Sequence, residues 1–315
     1  MRLATFEQAG TPRIGSVLHD RVLDLQGAHA AHSGADSPYL ADMLALMDGG
    51  DAALDLARAL AVRDGPTHAL AEVRLLAPVP VPRAMRDFMV FETHVRQSMA
   101  AVNRITGHGP RTPEEIEVPA IVRAQPIYYK GNRFTVVGPD HDVRWPSYSE
   151  KLDFELEFGI FLGRGGRDIP ASRARDHVFG YTIFNDVSAR DVQAHEMAGW
   201  LGPAKGKDFD TGNVIGPWIV TPDELPDPYA LTMSVRVNGE VWSSGTTGTM
   251  LHSFEDMIAH ASRDETLHVG EFLGSGTVGS GCGLELDRWI QPGDVIELEV
   301  EGIGTLRNRV VRPGA

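Results

Sequence analysis

Residues 152–163 read Leu-Asp-Phe-Glu-Leu-Glu-Phe-Gly-Ile-Phe-Leu-Gly, and they alternate at the period of a β-strand. The even positions are all apolar, whereas the odd positions begin with three acids and end with Gly-Phe-Gly. One face is therefore predicted to pack on a core. Because side chains two residues apart on a strand point the same way, Glu155 and Glu157 are expected to reach a shared cation. The alternative is an edge strand whose charges block pairing with another chain.

The composition is that of a globular protein. The 315 residues suffice for one large domain and a smaller one, and the hydrophobic fraction of 42% is ordinary. A net charge of −14 argues against nucleic acid or an anionic membrane as the main partner. The single cysteine, Cys282, excludes an internal disulfide and a cysteine-based metal site. No apolar run reaches the ~20 residues of a membrane span and no signal peptide is evident, so a cytoplasmic location is predicted.

Alternate prolines between residues 77 and 83 predict an extended, non-helical linker. This places a small N-terminal α+β domain at residues 1–76 and a larger domain at residues 84–315. In the N-terminal domain we predict strands at Arg2–Phe6 and Gly15–Leu23, and a helical segment at Ser37–Leu60 interrupted by Gly49-Gly50.

The larger domain is predicted to be mainly β with some helices, because short strand patterns separated by turns dominate it and no βαβ alternation occurs. Arg86–Ala101 is expected to be helical after its first turn, and the polar segment Ile105–Pro119 is expected to be a long surface loop. Besides 152–163, the predicted strands are Tyr128–Tyr129, Thr135–Val137, Tyr181–Asn185, Trp218–Thr221, Leu231–Val237, Val295–Val300 and Leu306–Val311.

Three common motifs fail on inspection. Gly274–Gly279 fits the dinucleotide pattern GxGxxG, but a Gly-rich loop follows it where a helix should begin. His195-Glu196 starts a zincin-like motif, yet Gly199 stands where the second histidine would be. No GxSxG nucleophile elbow is present, so the sequence offers no serine-hydrolase site.

A second acidic segment, GYTIFNDVSARDVQ at 180–193, places Asp186 at the predicted end of a strand. Arg190 and Gln193 follow three residues apart and share a face of a short helix or turn. Further on, Lys207 lies in the turn sequence GKDFDT. Taken singly, these residues are typical of a cap, a surface ion pair and a solvated turn. Their combination in one order favours a site.

The motifs ELE, NDVSARDVQ and GKDFDT, followed by a Gly-rich segment and PGDVI, resemble the fumarylacetoacetate hydrolase family over roughly Pro82 to Val311. The resemblance implies a mixed β-sandwich roll, usually a homodimer, that holds one divalent cation: Mg²⁺ first, with Mn²⁺ or Ca²⁺ as alternatives. Region 84–315 would then be a metal-dependent catalytic domain that acts on a small anionic oxo acid.

The resemblance also implies roles for individual residues. The implied metal ligands are Asp87, Glu155, Glu157 and Asp186. His94 matches the catalytic histidine and Glu285 the glutamate that orients it. The implied polar groups around the substrate oxygens are Arg190, Gln193 and Lys207, with Tyr129 and Thr277 as further substrate contacts.

These residues suit hydrolysis of a carbon–carbon bond in a 1,3-diketone or a diketo acid such as an acylpyruvate. Met197 stands where fumarylacetoacetase has a substrate-contacting tyrosine, which indicates a different substrate, and the loop 105–119 is expected near the cleft. An isomerase or decarboxylase of an oxo-dicarboxylic acid in aromatic catabolism is the enzymatic alternative. A metal-stabilised binding protein without turnover is the other. Cys282, in a Gly-rich turn, is expected to be structural.

Overall fold

The computed structural model describes residues 1–312 and residue 314. Its strands are β1 (Arg2–Gln8), β2 (Thr11–Leu18), β3 (Arg21–Asp24), β4 (Thr67–Ala69), β5 (Arg74–Leu76), β6 (Met85–Phe88), β7 (Tyr128–Lys130), β8 (Val136–Val137), β9 (Val143–Arg144), β10 (Leu152–Asp153), β11 (Leu156–Leu162), β12 (Val178–Asp186), β13 (Ser188–Ala189), β14 (Asn213–Val220), β15 (Thr232–Val237), β16 (Glu240–Thr246), β17 (Phe272–Gly274), β18 (Val295–Val300) and β19 (Gly304–Val311). Its helices are α1 (Leu25–Ser33), α2 (Met43–Asp48), α3 (Gly50–Ala61), α4 (Glu92–Thr106), α5 (Ala120–Ala124), α6 (Ala171–Ala174), α7 (Arg190–Met197), α8 (Ala204–Lys207), α9 (Phe254–Ala261) and α10 (Gly283–Leu286). None of these helices combines the length and the hydropathy of a bilayer span.

The largest sheet has twelve strands in the order β4-β3-β2-β1-β14-β12-β11-β17-β6-β7, with β5 paired to β1 and β8 to β14. Strand β11 pairs antiparallel with β12 on one side and with β17 on the other. Because both of its edges are paired, the edge-strand alternative for this segment is wrong. Strand β6 lies beyond β17 and runs parallel to it, which brings residue 87 into this part of the sheet.

The segment 152–163 is not one continuous strand as predicted. Strand β10 ends at Asp153 and pairs with β13 in a separate two-stranded sheet, whereas β11 begins at Leu156. Between them, Glu155 makes an isolated bridge to Cys282. The cause lies in Asp153, whose carboxylate accepts backbone hydrogen bonds from the turn at 283–284 and so draws the chain out of the ladder.

Both faces of β11 are buried, because two layers cover it. On one face, Leu156, Phe158 and Ile160 join an apolar cluster with residues of the five-stranded sheet β16-β15-β18-β19-β9. On the other face, Phe161 packs with Phe272 in a cluster that includes the N-terminal helices. The fold class is confirmed: mixed sheets with helices surround this core.

The N-terminal strands continue the large sheet, since β1 pairs with β14 from Arg2↔Val220. Residues 77–84 connect the two regions without a helix or strand. The division into domains at residues 77–83 stays a prediction.

Local predictions needed several corrections, among them the start of the predicted loop Ile105–Pro119, since α4 extends to Thr106, and of the predicted strand Thr135–Val137, which begins at Val136. Gly15–Leu23 is two strands, because a tight turn with His19 at a φ of 55° separates β2 from β3. Arg86 and Asp87 lie in strand β6, where pairing with β17 and β7 fixes an extended backbone; the helix starts only at Glu92. Ser37–Leu60 begins with a 3₁₀ turn instead of an α-helix, whereas the predicted interruption is confirmed, since α2 and α3 are separated at Gly49.

The close approach of β11 to β17 yields a stability prediction. A Cβ added at Gly159 would lie 2.5 Å from Phe272 Cζ and 2.6 Å from the Leu273 carbonyl oxygen. Gly159→Ala should therefore lower the free energy of unfolding by about 1–3 kcal/mol, since the sheet must overpack. At Gly131 the nearest atom would be Met85 Cβ at 3.5 Å, so Gly131→Ala is the matched control. Equal denaturant midpoints for the two variants would contradict the expectation.

Candidate active site

Three carboxylates converge near the ends of strands β6, β11 and β12 of the large sheet. Asp87 of β6, Glu157 of β11 and Asp186 of β12 each present one oxygen, and these oxygens lie within 4.8 Å of one another. All three side chains are buried. Gly274 lies between them on β17, where a Cβ would fall 2.6 Å from Asp87 Oδ1. The sheet therefore leaves room for this carboxylate cluster only because residue 274 has no side chain.

The Gly-rich segment after β17 donates to the carboxylate cluster. The Gly276 N–H donates to Asp87 Oδ1 at 3.2 Å and to Glu157 Oε2 at 3.0 Å. The Thr277 hydroxyl donates to Glu157 Oε1 at 3.2 Å, and the Tyr129 hydroxyl donates to Asp186 Oδ2 at 2.7 Å. Tyr129 and Thr277, implied substrate contacts, thus hold carboxylates in this structure. The GxGxxG-like stretch opens no helix, as the sequence indicated.

The carboxylate cluster has the electrostatics of a cation site. Burial, and then the charges of neighbouring carboxylates, raise the pKa of Asp87 and of Glu157 well above the usual range. Burial also raises the pKa of Asp186, although Lys207 opposes it. Asp186 Oδ1 is buried and, among the described residues, has no hydrogen-bond partner. An all-oxygen donor set with an unsatisfied carboxylate oxygen fits a hard divalent cation such as Mg²⁺ or Mn²⁺.

Glu155, the remaining implied ligand, lies beside this cluster but is held by cations. It accepts hydrogen bonds from Lys207 Nζ, from Arg190 Nη2 at 2.7 Å and from the Ser188 hydroxyl at 3.2 Å. Lys207 Nζ also donates to Asp186 Oδ2 and so bridges Glu155 to the carboxylate cluster. Burial alone would raise the pKa of Glu155, yet Arg190 and Lys207 outweigh it and lower that pKa. Burial opposes the charge of Lys207, but Asp186 and Glu155 raise the pKa of this lysine and keep it protonated.

His94 and Glu285, 191 positions apart in the chain, meet beside these carboxylates. His94 lies on α4, and its Nδ1 is 3.0 Å from Glu285 Oε1 on α10. The other oxygen, Oε2, accepts from the Cys282 N–H at 3.2 Å and from the Cys282 thiol at 3.3 Å. His94 is close enough to Glu155 to be among the groups that lower the pKa of that carboxylate, after Arg190 and Lys207.

Arg190 is committed to contacts within the protein. Its Nε donates to Asp153 Oδ2 at 2.8 Å, and its Nη1 donates to Gln193 Oε1 at 2.9 Å, while Nη2 holds Glu155. Because Gln193 Oε1 accepts this hydrogen bond from Arg190, the Nε2 group of Gln193 stays available to donate to another acceptor. The sequence analysis missed Asp153, although it is the first acid of the alternating stretch.

The sequence also predicts that Met197 and the loop 105–119 lie near the substrate. Met197 is 53% exposed at the end of α7, and the loop after α4 packs back on that helix through a bond from Arg96 to the Ile116 carbonyl. Glu196, of the rejected zincin-like pair, instead accepts the backbone N–H groups of Lys205 and Gly206, which fixes the start of α8.

Known proteins of one family are similar to this chain over most of its length. The family model described as fumarylacetoacetate (FAA) hydrolase C-terminal matches residues 85–311. The human protein named oxaloacetate tautomerase FAHD2A, mitochondrial, is 33% identical over 272 residues, which are 85% of this chain and 79% of that protein. The Xenopus laevis protein named oxaloacetate tautomerase fahd2, mitochondrial, is 32% identical over 99% of this chain and 90% of its own.

Solved structures show the same fold along the whole chain. A fumarylacetoacetate hydrolase from Exiguobacterium antarcticum superposes with a TM-score of 0.77 at 29% identity, covering 99% of both chains. Maleylpyruvate hydrolase from Sphingobium sp. SYK-6, solved in complex with manganese(II) ion and pyruvate, superposes with a TM-score of 0.74 at 25% identity, again over 99% of both chains. With a family model that covers most of its length, this chain belongs to the fumarylacetoacetate hydrolase family.

Proposed function

We propose that the protein hydrolyses a carbon–carbon bond of a 1,3-dicarbonyl oxo acid of the acylpyruvate type, with a divalent cation as cofactor. The observation that carries the proposal is the His94–Glu285 contact of 3.0 Å beside a cluster of buried carboxylates. A histidine held by a carboxylate at one ring nitrogen is suited to take a proton at the other.

The proposed ligands of the cation are the carboxylates of Asp87, Glu157 and Asp186, joined by Glu155. Mg²⁺ is our first choice because all the donors are oxygens, and Mn²⁺ and Ca²⁺ are the alternatives. When bound, such a cation would polarise the substrate carbonyl and favour the enolate of the departing fragment. Charge balance supports the assignment, since the carboxylates outnumber the cations buried beside them.

The protein's own residues would move the protons. With Nδ1–H donating to Glu285, His94 Nε2 is free to take a proton from water, and the resulting hydroxide attacks the acyl carbonyl carbon. Lys207 uses two of its three N–H groups on Glu155 and Asp186, which leaves one for the developing oxyanion; the Gln193 Nε2 group is a second donor. The bond from the carbonyl carbon to the central carbon then breaks, and His94 returns the proton to that carbon.

Keto–enol tautomerisation is the second candidate, and it is favoured by the relatives named oxaloacetate tautomerases. In this reaction His94 Nε2 would take the proton from the carbon between the two carbonyl groups and return it to an oxygen. No water is consumed, so the same residues serve both reactions. A binding protein with this fold would bind the oxo acid and release no product.

The proposal includes a homodimer in the cytoplasm that acts on small anionic oxo acids of aromatic catabolism. Sedimentation at several protein concentrations tests the dimer, and a panel of 1,3-diketo acids and oxo-dicarboxylic acids, with products identified by mass, tests the substrate class. Formation of two fragments from one substrate is the expected result.

Loss of one ligand should abolish cation binding. Glu157→Gln removes a charged oxygen from the carboxylate cluster, so calorimetry with Mn²⁺ or Mg²⁺ should show no binding and activity should vanish. Asp24→Asn is the control, because Asp24 is also buried but belongs to the N-terminal region, where it caps α1. Full occupancy and activity in Glu157→Gln would refute the ligand assignment.

The thiol of Cys282 should be dispensable as a nucleophile. Burial, and then the charge of Glu285, raise the pKa of the Cys282 thiol well above its usual range, which keeps it protonated. In Cys282→Ser the hydroxyl can still donate to Glu285, and turnover should be largely retained. A loss of about a hundredfold in kcat would reveal a direct chemical role.

Removal of the base tests the hydrolytic step. His94→Ala should lower kcat about 10²–10⁴-fold while the cation stays bound, since no other group takes the proton from water. Glu285→Gln should lose less, because its amide still contacts the imidazole but stabilises the imidazolium poorly. Steady-state kinetics and calorimetry on both variants measure these effects.

Cleavage in ¹⁸O-labelled water separates the two candidate reactions. Hydrolysis must place the label in the new carboxylate of the acyl fragment, because water supplies that oxygen. Formation of an enol or keto isomer without any fragment would establish the tautomerase instead. Undiminished activity in His94→Ala would exclude His94 as the base in either reaction.

A further inference from the structure

The carboxylate of Asp153 connects three segments of the chain. Oδ1 accepts the Gly283 N–H at 2.8 Å, and Oδ2 accepts the Leu284 N–H at 2.9 Å and Arg190 Nε–H at 2.8 Å. The Phe154 N–H also donates to Oδ1, at 2.9 Å. The Asp153 side chain is fully buried, and each of its oxygens has two donors, so its position is fixed by four hydrogen bonds.

Two of these bonds hold the turn from which Glu285 projects. Gly283 and Leu284 are the first residues of α10, and Glu285 follows directly. The contact is close: a Cβ at Gly283 would lie 2.6 Å from Asp153 Oδ1 and 2.2 Å from the Arg288 carbonyl oxygen. Because the backbone is in contact on both sides, α10 cannot shift without breaking the bonds to Asp153. The placement of Glu285 against His94 therefore depends on Asp153.

The third bond reaches the carboxylates on the other side. Asp153 Oδ2 orients the Arg190 guanidinium, and Nη2 of that guanidinium donates to Glu155 Oε1 at 2.7 Å. Asp153 thus stands between the His94–Glu285 pair and the Lys207-bridged carboxylates, and one rigid group sets their separation. A proton-transfer base works only when its distance to the reacting atoms is held within a few tenths of an ångström.

We propose that Asp153 is a positioning residue for the His94–Glu285 pair, acting through the backbone N–H groups of Gly283 and Leu284. The inference rests on the proposed role of His94 as the base. Asp153 touches no reacting atom, and its effect should appear in kcat with little change in KM or cation affinity.

The test compares two buried aspartates of the same chemistry. Asp153→Asn replaces one acceptor oxygen by an NH₂ group that faces donors, so at least one bond to α10 or to Arg190 is lost. Asp24 also caps a helix, through the Gly27 N–H at 3.0 Å, and it also binds an arginine, Arg13, at 2.6 Å. Asp24→Asn therefore imposes a similar loss away from Glu285 and is the matched control.

We expect kcat of Asp153→Asn, measured with saturating cation, to fall about 10–100-fold, as is typical of residues that orient a functional group. KM and the Mn²⁺ dissociation constant should stay within about threefold of wild type. In a His94→Ala background the same substitution should lower the residual rate less than about threefold, because the pair it positions is already disabled. Asp24→Asn should leave kcat unchanged, and thermal unfolding checks that both variants fold.

Three results would overturn the inference. Wild-type kcat in Asp153→Asn while His94→Ala is inactive would remove the positioning role and leave the proposed function intact. Full multiplication of the two losses in the double variant, or recovery of kcat at high Mn²⁺ concentration, would show that Asp153 acts independently of His94 or through Glu155. Full activity of His94→Ala would refute the proposed function and the inference together. If Asp153→Asn does not fold, Asp153→Ser, which lacks the opposing NH₂ group, is measured with the same criteria.

Discussion

Concentrated negative charge in a desolvated place is the constraint around which this structure is built. Asp87, Asp153, Glu155, Glu157 and Asp186 are all buried, and among the described residues Lys207 and Arg190 are the cations in direct contact with them. Two like charges 4 Å apart repel by about 4 kcal/mol at an effective dielectric constant of 20. The cost is reduced by backbone and hydroxyl donors from the segment 276–277, and by the two cations. Where compensation is incomplete, the pKa values of Asp87, Glu157 and Asp186 rise, and a divalent cation would be stabilised by the same carboxylates.

The fold meets this constraint by placing acids at neighbouring positions of one sheet. Asp87, Glu157 and Asp186 come from three strands, β6, β11 and β12, that are distant in sequence. Strand β17 pairs with both β6 and β11, and β11 pairs with β12, so these pairings bring the three acids together. Strands are stiff and their side chains project in fixed directions, so carboxylates can be held close despite their repulsion. The apolar clusters on both faces of β11 supply the stability that offsets this repulsion. The apolar residues that fill the core on both faces of β11 also exclude water from the carboxylate cluster.

Sequence reasoning reached the parts of the site that local pattern determines. The alternation at 152–163 identified Glu155 and Glu157, and the strand-end position identified Asp186. Long-range pairing cannot be read from local pattern: no strand was predicted at Asp87, yet pairing with β17 makes this residue part of one. The meeting of His94 and Glu285 was expected from family resemblance alone, since no local pattern links residues on separate helices. The role of Asp153 could not be predicted from local pattern, because its partners, the backbone of residues 283–284 and Arg190, are brought to it by the fold.

The arrangement also indicates why one family can host hydrolases, isomerases and tautomerases. In the proposed function, the carboxylates and Lys207 would serve any reaction that passes through an enolate, because they would act only on the charge of the substrate oxygens. If His94 is the base, as proposed, the reaction class would depend on what lies against its Nε2: a water molecule would lead to cleavage, whereas an acidic C–H would lead to tautomerisation. Both require the same imidazole position, which Glu285 and the buried turn at 282–284 fix from behind. Under the proposed function, the residues that shape the space in front of His94 would then select between the two reactions.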